Sequence, residues 1–304
     1  MSRIPLLDPV TLSRLPPVAI KALRVVEGAL TGMHQSPHLG QSIEFSEHKE
    51  YSPGDEVKHI DWKLYGKSDR YYIKQFEDET NLRAYLLIDA SASMGYPEPG
   101  QADRENKFTY ASILALSIAH LLFRQHDSVG LLTFNEKLQK VMPPKSQPSY
   151  LLPLANMLAE QKPTGETKIV DVLRNMGELA KRRSVFMLFS DLFADPDETS
   201  LILKQLTHQG HDVILFHIMD PDELEFPFND PTLFEDMEVE GRNVQIDAHS
   251  IRPYYKQELE AFLARVKQRT REAGIEYWQI NTGEAMSLVL RRFLLQRNHQ
   301  RGRR

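Results

Sequence analysis

Ala84-Tyr85-Leu86-Leu87-Ile88-Asp89-Ala90-Ser91-Ala92-Ser93-Met94-Gly95 begins as an unbroken apolar run and ends in small and polar residues. A run of about five consecutive apolar residues, as opposed to an alternating one, marks a strand buried on both faces. The pattern returns at 129–134, 185–189 and 213–218. Between these runs, apolar residues at helical spacing occupy 108–124, 149–160, 169–181 and 198–209. Strand and helix in alternation predict β–α–β units, and so an α/β fold with a doubly wound, mostly parallel sheet of Rossmann-like type. Ligands of such sheets bind beyond the carboxyl ends of the strands. The polar half of the quoted segment is therefore where a site is expected.

Outside this core the grammar changes. Residues 137–142 read as an edge hairpin, and 220–247 is strongly acidic with a hairpin at 233–246 turning at Gly241-Arg242. This acidic β-hairpin is expected to be an insertion near 220–250. A helix over 254–273, a strand over 275–280 and a helix over 285–295 complete the core pattern. Upstream, Leu12, Leu15, Ile20, Leu23, Val26 and Leu30 have helical spacing interrupted at Pro16-Pro17. Residues 42–83 hold short, aromatic-rich extended pieces separated by the turn signals Ser52-Pro53-Gly54-Asp55 and Gly66. The expected organisation is an N-terminal helix and small β-rich extension over 1–83, the α/β domain over 84–296 and a basic tail over 297–304.

The chain has 304 residues, 41% hydrophobic and 26% charged, with a formal net charge of -5. That balance gives no general attraction to nucleic acid or to an anionic membrane. There is no cysteine, which excludes disulfides, thiol nucleophiles and cysteine-ligated zinc or iron–sulfur centres. A reducing cytoplasm suits such a composition. The first residues carry Arg3, Asp8 and Arg14 without an apolar run of signal-peptide length. No uncharged apolar stretch approaches the roughly 18–20 residues of a membrane-spanning helix. The expectation is a soluble, cytoplasmic, monomeric protein with neither nucleic acid nor membrane as a partner. Arg291, Arg292, Arg297, Arg301, Arg303 and Arg304 read as a solvated helix end that suits the helix dipole. The scattered histidines are not assigned to metal.

In Asp89-Ala90-Ser91-Ala92-Ser93 a carboxylate and two hydroxyls alternate along a turn, so three oxygens can point to one side. Hard divalent cations such as Mg²⁺ take oxygen ligands in octahedral geometry and fill unused positions with water. Two further oxygen donors fall where the sheet would bring them close. Thr167 opens a helix, with Thr164 in the same loop, and Asp191 follows the buried run that ends at Phe189-Ser190. Alone, the pentapeptide reads as a capped turn at a helix start; with the strand context and the distant Thr and Asp in this order it reads as a metal site.

Asp-x-Ser-x-Ser after the first strand, a distant loop threonine and an aspartate after a later strand resemble the pattern of von Willebrand factor A-like domains. The resemblance implies a metal-ion-dependent adhesion site, with Asp89, Ser91, Ser93, Thr167 and Asp191 at the matching positions. It implies Mg²⁺, with Mn²⁺ or Ca²⁺ as alternatives, and a partner whose Asp or Glu completes the ion's coordination.

A second resemblance narrows this. Phe45-Ser46-Glu47-His48-Lys49-Glu50-Tyr51-Ser52-Pro53-Gly54-Asp55, followed by His59-Ile60-Asp61-Trp62-Lys63, is similar to the hallmark of the domain of unknown function 58 family. Lys49 and Lys58 stand where that family usually has arginine, so a bidentate guanidinium contact is not expected there. Within the hallmark, Glu47, Tyr51, Gly54, Asp55, Asp61 and Trp62 are candidate structural or binding residues, and a polar network locking the segment onto the core is the simpler role. The resemblance implies a binding and adaptor protein, not an enzyme, working with a MoxR-type AAA+ ATPase or its client in chaperone-like assembly or maturation. The alternative is a metal-assisted phosphohydrolase of haloacid dehalogenase-like type. Such an enzyme needs a second Asp two residues after the first as acid/base, and here that position is Ser91. The chain also has no Gly-x-x-x-x-Gly-Lys-[Ser/Thr] loop and no Gly-x-Ser-x-Gly elbow.

Overall fold

The structure is a computed structural model, and it describes residues 15–34, 48–50, 72–74, 82–98, 100–180, 182–238 and 241–301. The chain divides into two compact units, Met33–Asn81 and the combination of Met1–Gly32 with Leu82–Arg304. In the smaller unit two strands are described, β1 (His48–Glu50) and β2 (Tyr72–Lys74), paired antiparallel with His48 opposite Lys74. Glu47, Tyr51, Gly54, Asp55, Asp61 and Trp62 lie outside the described residues.

The larger unit contains strands β3 (Arg83–Asp89), β4 (Ser128–Phe134), β5 (Leu138–Lys145), β6 (Val185–Ser190) and β7 (Asp212–Met219), the hairpin strands β8 (Pro231–Glu235) and β9 (Asn243–Asp247), and β10 (Glu276–Asn281). Six of them form one sheet in the order β10-β7-β6-β3-β4-β5. All neighbours in that sheet are parallel except the β4–β5 pair. This is the doubly wound, mostly parallel α/β sheet that the buried runs predict. The helices are α1 (Pro17–His34), α2 (Lys107–Arg124), α3 (Leu151–Ala159), α4 (Ile169–Leu179), α5 (Pro196–His208), the short α6 (Pro221–Glu225), α7 (Ala248–Glu272) and α8 (Met286–Arg301).

Alternate residues of each strand feed two cores, because successive side chains leave opposite faces of a sheet. Leu86, Ile88, Met187, Phe189 and Phe216 pack with α1, α2, α3 and α8, and Phe189 stacks on Phe216 at a ring-centroid distance of 4.6 Å. Tyr85, Leu87, Leu188 and Leu215 pack on the other face with residues of α4, α5 and α7. Helix α2 is apolar round most of its circumference because it is enclosed: residues 110–119 are buried. At the sheet's edge, β5 carries Pro143 and Pro144, which only an edge strand accommodates. A Cβ on Gly130 of β4 would stand 2.9 Å from the Met142 carbonyl oxygen, so glycine permits the close approach of β5.

Several boundaries differ from expectation. Helix α1 belongs to the α/β core and not with the extension: Ala19, Ala22, Val26 and Ala29 are buried there, and the Ser117 hydroxyl donates to the Ala22 carbonyl at 3.2 Å. Helix α7 starts at Ala248, where 254 was expected. Asp247 caps it by accepting from the His249 N–H, and Pro253 lies inside it, in the second turn. Helix α8 runs on to Arg301. Among the described residues no helix is long and apolar enough to cross a membrane.

Candidate metal centre at the switch point of the sheet

The strand order reverses at β3, with β4 added on one side and β6 on the other. A crevice at such a switch point is where an open α/β sheet binds its ligand. Asp89 is the last residue of β3, and Asp191 is the first residue after β6.

Backbone bonds bring the remaining donors to this point. The Ala90 N–H bonds the Phe134 carbonyl at 2.7 Å, fixing the exit of β3 to the end of β4. The chain then makes a 3₁₀ turn at Ala92–Gly95, which buries Ser93 and Met94. The loop before α4 is stitched onto that exit: Thr164 N–H to Ala90 O and Ala92 N–H to Gly165 O, both 2.9 Å, with Asn135 Nδ2 donating to Thr164 O at 2.7 Å. Gly165 adopts a φ of 76°, in the left-handed region that favours glycine. This stitching delivers Thr167 to Asp89 across 78 residues of sequence.

Asp89 is fully buried. The Thr167 hydroxyl donates towards both its oxygens at 3.2 and 3.3 Å. Ser190 Oγ donates to Oδ2 at 2.6 Å and the Ser91 N–H to Oδ1 at 3.0 Å. Ser91 Oγ and Ser93 Oγ are 3.1 Å apart. Burial first, and the charge of Asp191 second, push the Asp89 carboxyl up to about 7, against the opposing pull of the bonds from Ser190 and Ser91. Four of the five expected residues thus form one polar cluster, and Asp191 joins it through its field. Thr167, not Thr164, presents the hydroxyl.

Asp191 is held from two sides. Its Oδ2 accepts from the buried Lys107 ammonium at 2.7 Å, and Lys107 also pairs with Glu223. Burial alone would lower the Lys107 pKa, but Asp191 and Glu223 outweigh it and raise it above its ordinary value. The Asp191 carbonyl lies 3.1 Å from His217 Nε2, and His217 Nδ1 lies 2.9 Å from the Tyr277 hydroxyl. Burial brings His217 down to about 4, so the ring is neutral at pH 7. Nε2–H therefore donates to the carbonyl, and Nδ1 accepts from Tyr277. The next residue, Leu192, sits at a φ of 54°, an uncommon conformation for a residue with a side chain. Its N–H donates to Ser190 Oγ at 3.0 Å, so Ser190 ties the strained turn to Asp89. The second oxygen of Asp191, Oδ1, is buried and has no hydrogen-bond partner.

Residues 47–264 match the family described as Protein of unknown function DUF58. The chain belongs to this family. A relative of similar extent is the uncharacterized protein Rv1480 of Mycobacterium tuberculosis, 24% identical over 299 residues, covering 95% of this chain and 90% of the relative. Among solved structures, the chain is similar to the conserved hypothetical protein BatB of Bacteroides thetaiotaomicron, with a TM-score of 0.44 and 11% identity over 71% of this chain and 98% of that one. It is also similar to the SpRpn10 VWA domain, with a TM-score of 0.39 and 15% identity over 68% and 92% of the two chains.

In this DUF58 protein the neighbours of the expected residues went unread in the sequence. Lys107, Ser190, His217, Glu223 and Glu238 all reach the cluster. A lysine opening an otherwise apolar helix and a serine directly before Asp191 were the available signals. Glu223 and Glu238 lie in an acidic stretch whose residues look alike until the chain is folded.

The donor set fits a hard divalent cation. It offers carboxylate and hydroxyl oxygens and no sulfur or nitrogen ligand. The orphaned Asp191 Oδ1 and the Asp89 carboxyl, which lacks any cationic partner among its hydrogen bonds, both gain from positive charge. Among the described residues no group of three or more His, Cys, Asp or Glu stands together as a metal cage. A cation here would rely on hydroxyls and water for much of its shell.

Proposed function

We propose that this protein is a non-enzymatic, divalent-metal-dependent binding and adaptor protein. Asp89, Ser91, Ser93, Thr167 and Asp191 would hold the ion, Mg²⁺ foremost with Mn²⁺ or Ca²⁺ as alternatives. The observation that carries the reading is the pairing of a fully buried Asp89, bonded only to hydroxyls and one N–H, with a buried Asp191 oxygen that has no partner. Asp191 already has Lys107 on its other oxygen, whereas a buried carboxylate with no cationic partner, as at Asp89, is costly to ionise unless a cation completes it.

When bound, the ion supplies an electrophilic face with replaceable water. The chain's own residues do the rest. Asp89 provides the charge nearest the strand end, and Ser91, Ser93 and Thr167 provide neutral donors that leave the ion's charge only partly offset. Lys107 neutralises one oxygen of Asp191, which further limits how much negative charge the site itself supplies. A partner's Asp or Glu is the natural completion. A phosphohydrolase is disfavoured because the acid/base position is Ser91, whose hydroxyl is engaged with Ser93. The proposed partner is a MoxR-type AAA+ ATPase or its client, on the family resemblance alone, with a monomer in the cytoplasm as the working state.

The test is calorimetric titration of Mg²⁺ and Mn²⁺ into the native chain and into Asp89→Ala, followed by affinity capture with and without EDTA. Saturable binding in the native chain, abolished in Asp89→Ala, with an ATPase captured and then released by EDTA, is the expected result. No binding at millimolar metal would sink the proposal.

A further inference from the structure

Hairpin β8–β9 is not a free appendage. Arg252 of α7 clamps its base, donating to the Phe226 and Phe228 carbonyls at 3.1 and 2.6 Å. Phe226, Phe228, Phe234 and Tyr255 form a packed aromatic cluster beneath it, with Phe226 and Tyr255 centroids 4.5 Å apart. The strands are in register from Pro231 opposite Asp247 to Glu235 opposite Asn243. The Asp236 N–H bonds the Arg242 carbonyl at 2.8 Å across the hairpin's end. Such an anchored hairpin delivers its tip to a fixed place.

That place is the candidate metal centre. The Met237 methyl lies 3.8 Å from where a side chain on Gly95, the end of the 3₁₀ turn, would begin. The next residue, Glu238, turns its carboxyl towards the Ser93 hydroxyl and the Thr167 N–H, and within the field of Asp191. Its Oε1 is buried and makes no hydrogen bond. So two carboxylate oxygens of one cluster, Asp191 Oδ1 and Glu238 Oε1, are buried without a partner. Among the described residues the other buried side-chain atoms in that condition are hydroxyls: Ser112, Thr133 and Thr199. Asp191 is 5% exposed. Lys107 is already shared between Asp191 and Glu223, so a further acidic side chain brought here is unfavourable unless the site holds an added cation.

We propose that Glu238 is an internal acidic occupant of the centre, standing where a partner's carboxylate would bind, so that its side chain must be displaced before a partner docks. The inference rests on the metal reading above and adds regulation to it. Specificity then has two parts: a partner must present an acid, and it must also displace the chain's own. A neutral peptide does neither.

Water-proton relaxation of Mn²⁺ titrated into the full-length protein tests this, because the signal counts exchangeable waters on the bound ion. In Glu238→Ala the ion loses a carboxylate and gains water. The expected result is higher relaxivity per bound Mn²⁺ than in the native chain, with affinity about 10-fold weaker. Acetate, as a bare carboxylate probe, then lowers the relaxivity of the variant and leaves the native protein unaffected. Glu238→Gln keeps the side chain's shape and is expected to fall between the two. Native-like relaxivity and acetate response in Glu238→Ala, with Mn²⁺ still bound, would overturn the internal occupant and leave the metal site standing. Absence of Mn²⁺ binding in the native chain and in both variants would overturn the metal reading and this inference together.

Discussion

Two buried aspartates end neighbouring parts of the same sheet, and they have been treated in opposite ways. Asp220, directly after β7, accepts from Arg104 through two nitrogens at 2.9 and 2.6 Å, from the Asp222 N–H at 2.9 Å and from the Thr282 hydroxyl at 3.0 Å. Burial alone would raise its pKa, but these bonds prevail and hold it below the ordinary carboxylate value. Asp89, at the end of β3, is as deeply buried and is raised to about 7. Both side chains are hydrogen-bonded; only one has a cation from its own chain. A carboxylate supplied with guanidinium is finished as a structural joint, whereas one supplied with hydroxyls is a structural joint that still lacks its counter-charge.

Substituting the cation of the finished joint should have the largest effect. Arg104→Met leaves Asp220 buried and unpaired, and loss of one partner of such a pair costs about 3 kcal/mol or more. Denaturant unfolding should show that loss equally with and without Mg²⁺. An Arg104→Met protein of native stability would erase the distinction between the two aspartates.

Asp89→Asn should act with the opposite sign on the metal-free protein. It removes a charge that burial and Asp191 oppose, so metal-free stability is expected to hold or to rise by about 1 kcal/mol, the scale of one altered buried hydrogen bond. Metal affinity should fall about 100-fold, close to 2.7 kcal/mol. Thermal unfolding with and without Mn²⁺ checks both parts, and a metal-free Asp89→Asn that is several kcal/mol less stable would make Asp89 another finished joint.

The smallest effect is in pH. In the unfolded chain Asp89 ionises near its ordinary value of 3.8, whereas in the folded metal-free protein it keeps its proton up to about 7. Metal-free stability from this group therefore falls between about pH 4 and 7 and is flat above. His217, lowered to about 4, works the other way: its contribution is present above its unfolded value and is lost as pH falls towards 4. The two offset each other in the metal-free protein. The cation competes with the Asp89 proton, so the stabilisation by Mg²⁺ should be small at pH 5.5 and reach its plateau above pH 7. Melting curves with and without Mg²⁺ across that range read the difference directly, and stabilisation that is independent of pH would detach Asp89 from the ion.

The unequal legibility of the two aspartates in the sequence has a physical cause. The sheet was readable because strands buried on both faces must be continuously apolar, as in Tyr85 to Ile88 and Val185 to Phe189. That Asp89, Ser91 and Ser93 come together was readable because they lie within one turn, and that Thr167 and Asp191 approach them because loops at the carboxyl ends of a doubly wound sheet converge. Arg104, Lys107, Glu223 and Glu238 carry no such constraint. Each reaches its partner by tertiary packing, and Arg104 and Asp220 are 116 residues apart. The same holds for α1, where helical spacing singled out Ile20, Leu23, Val26 and Leu30, whereas the residues buried in the core are Ala19, Ala22, Val26 and Ala29.

The packing of α1 has a consequence for the chain as a connected object. Residues 33–81 are a separate compact unit, yet the segments before and after them share one core. That unit is inserted in the chain, tethered at both ends to the same body. A single break of the backbone within 33–81 would not release either piece, because the short N-terminal fragment stays seated through Ala19, Ala22, Val26 and Ala29. The α/β body is in this sense a two-fragment complex whose halves happen to be covalently joined through another unit, and its assembly requires residues 82–304 to be present before α1 has a place to sit.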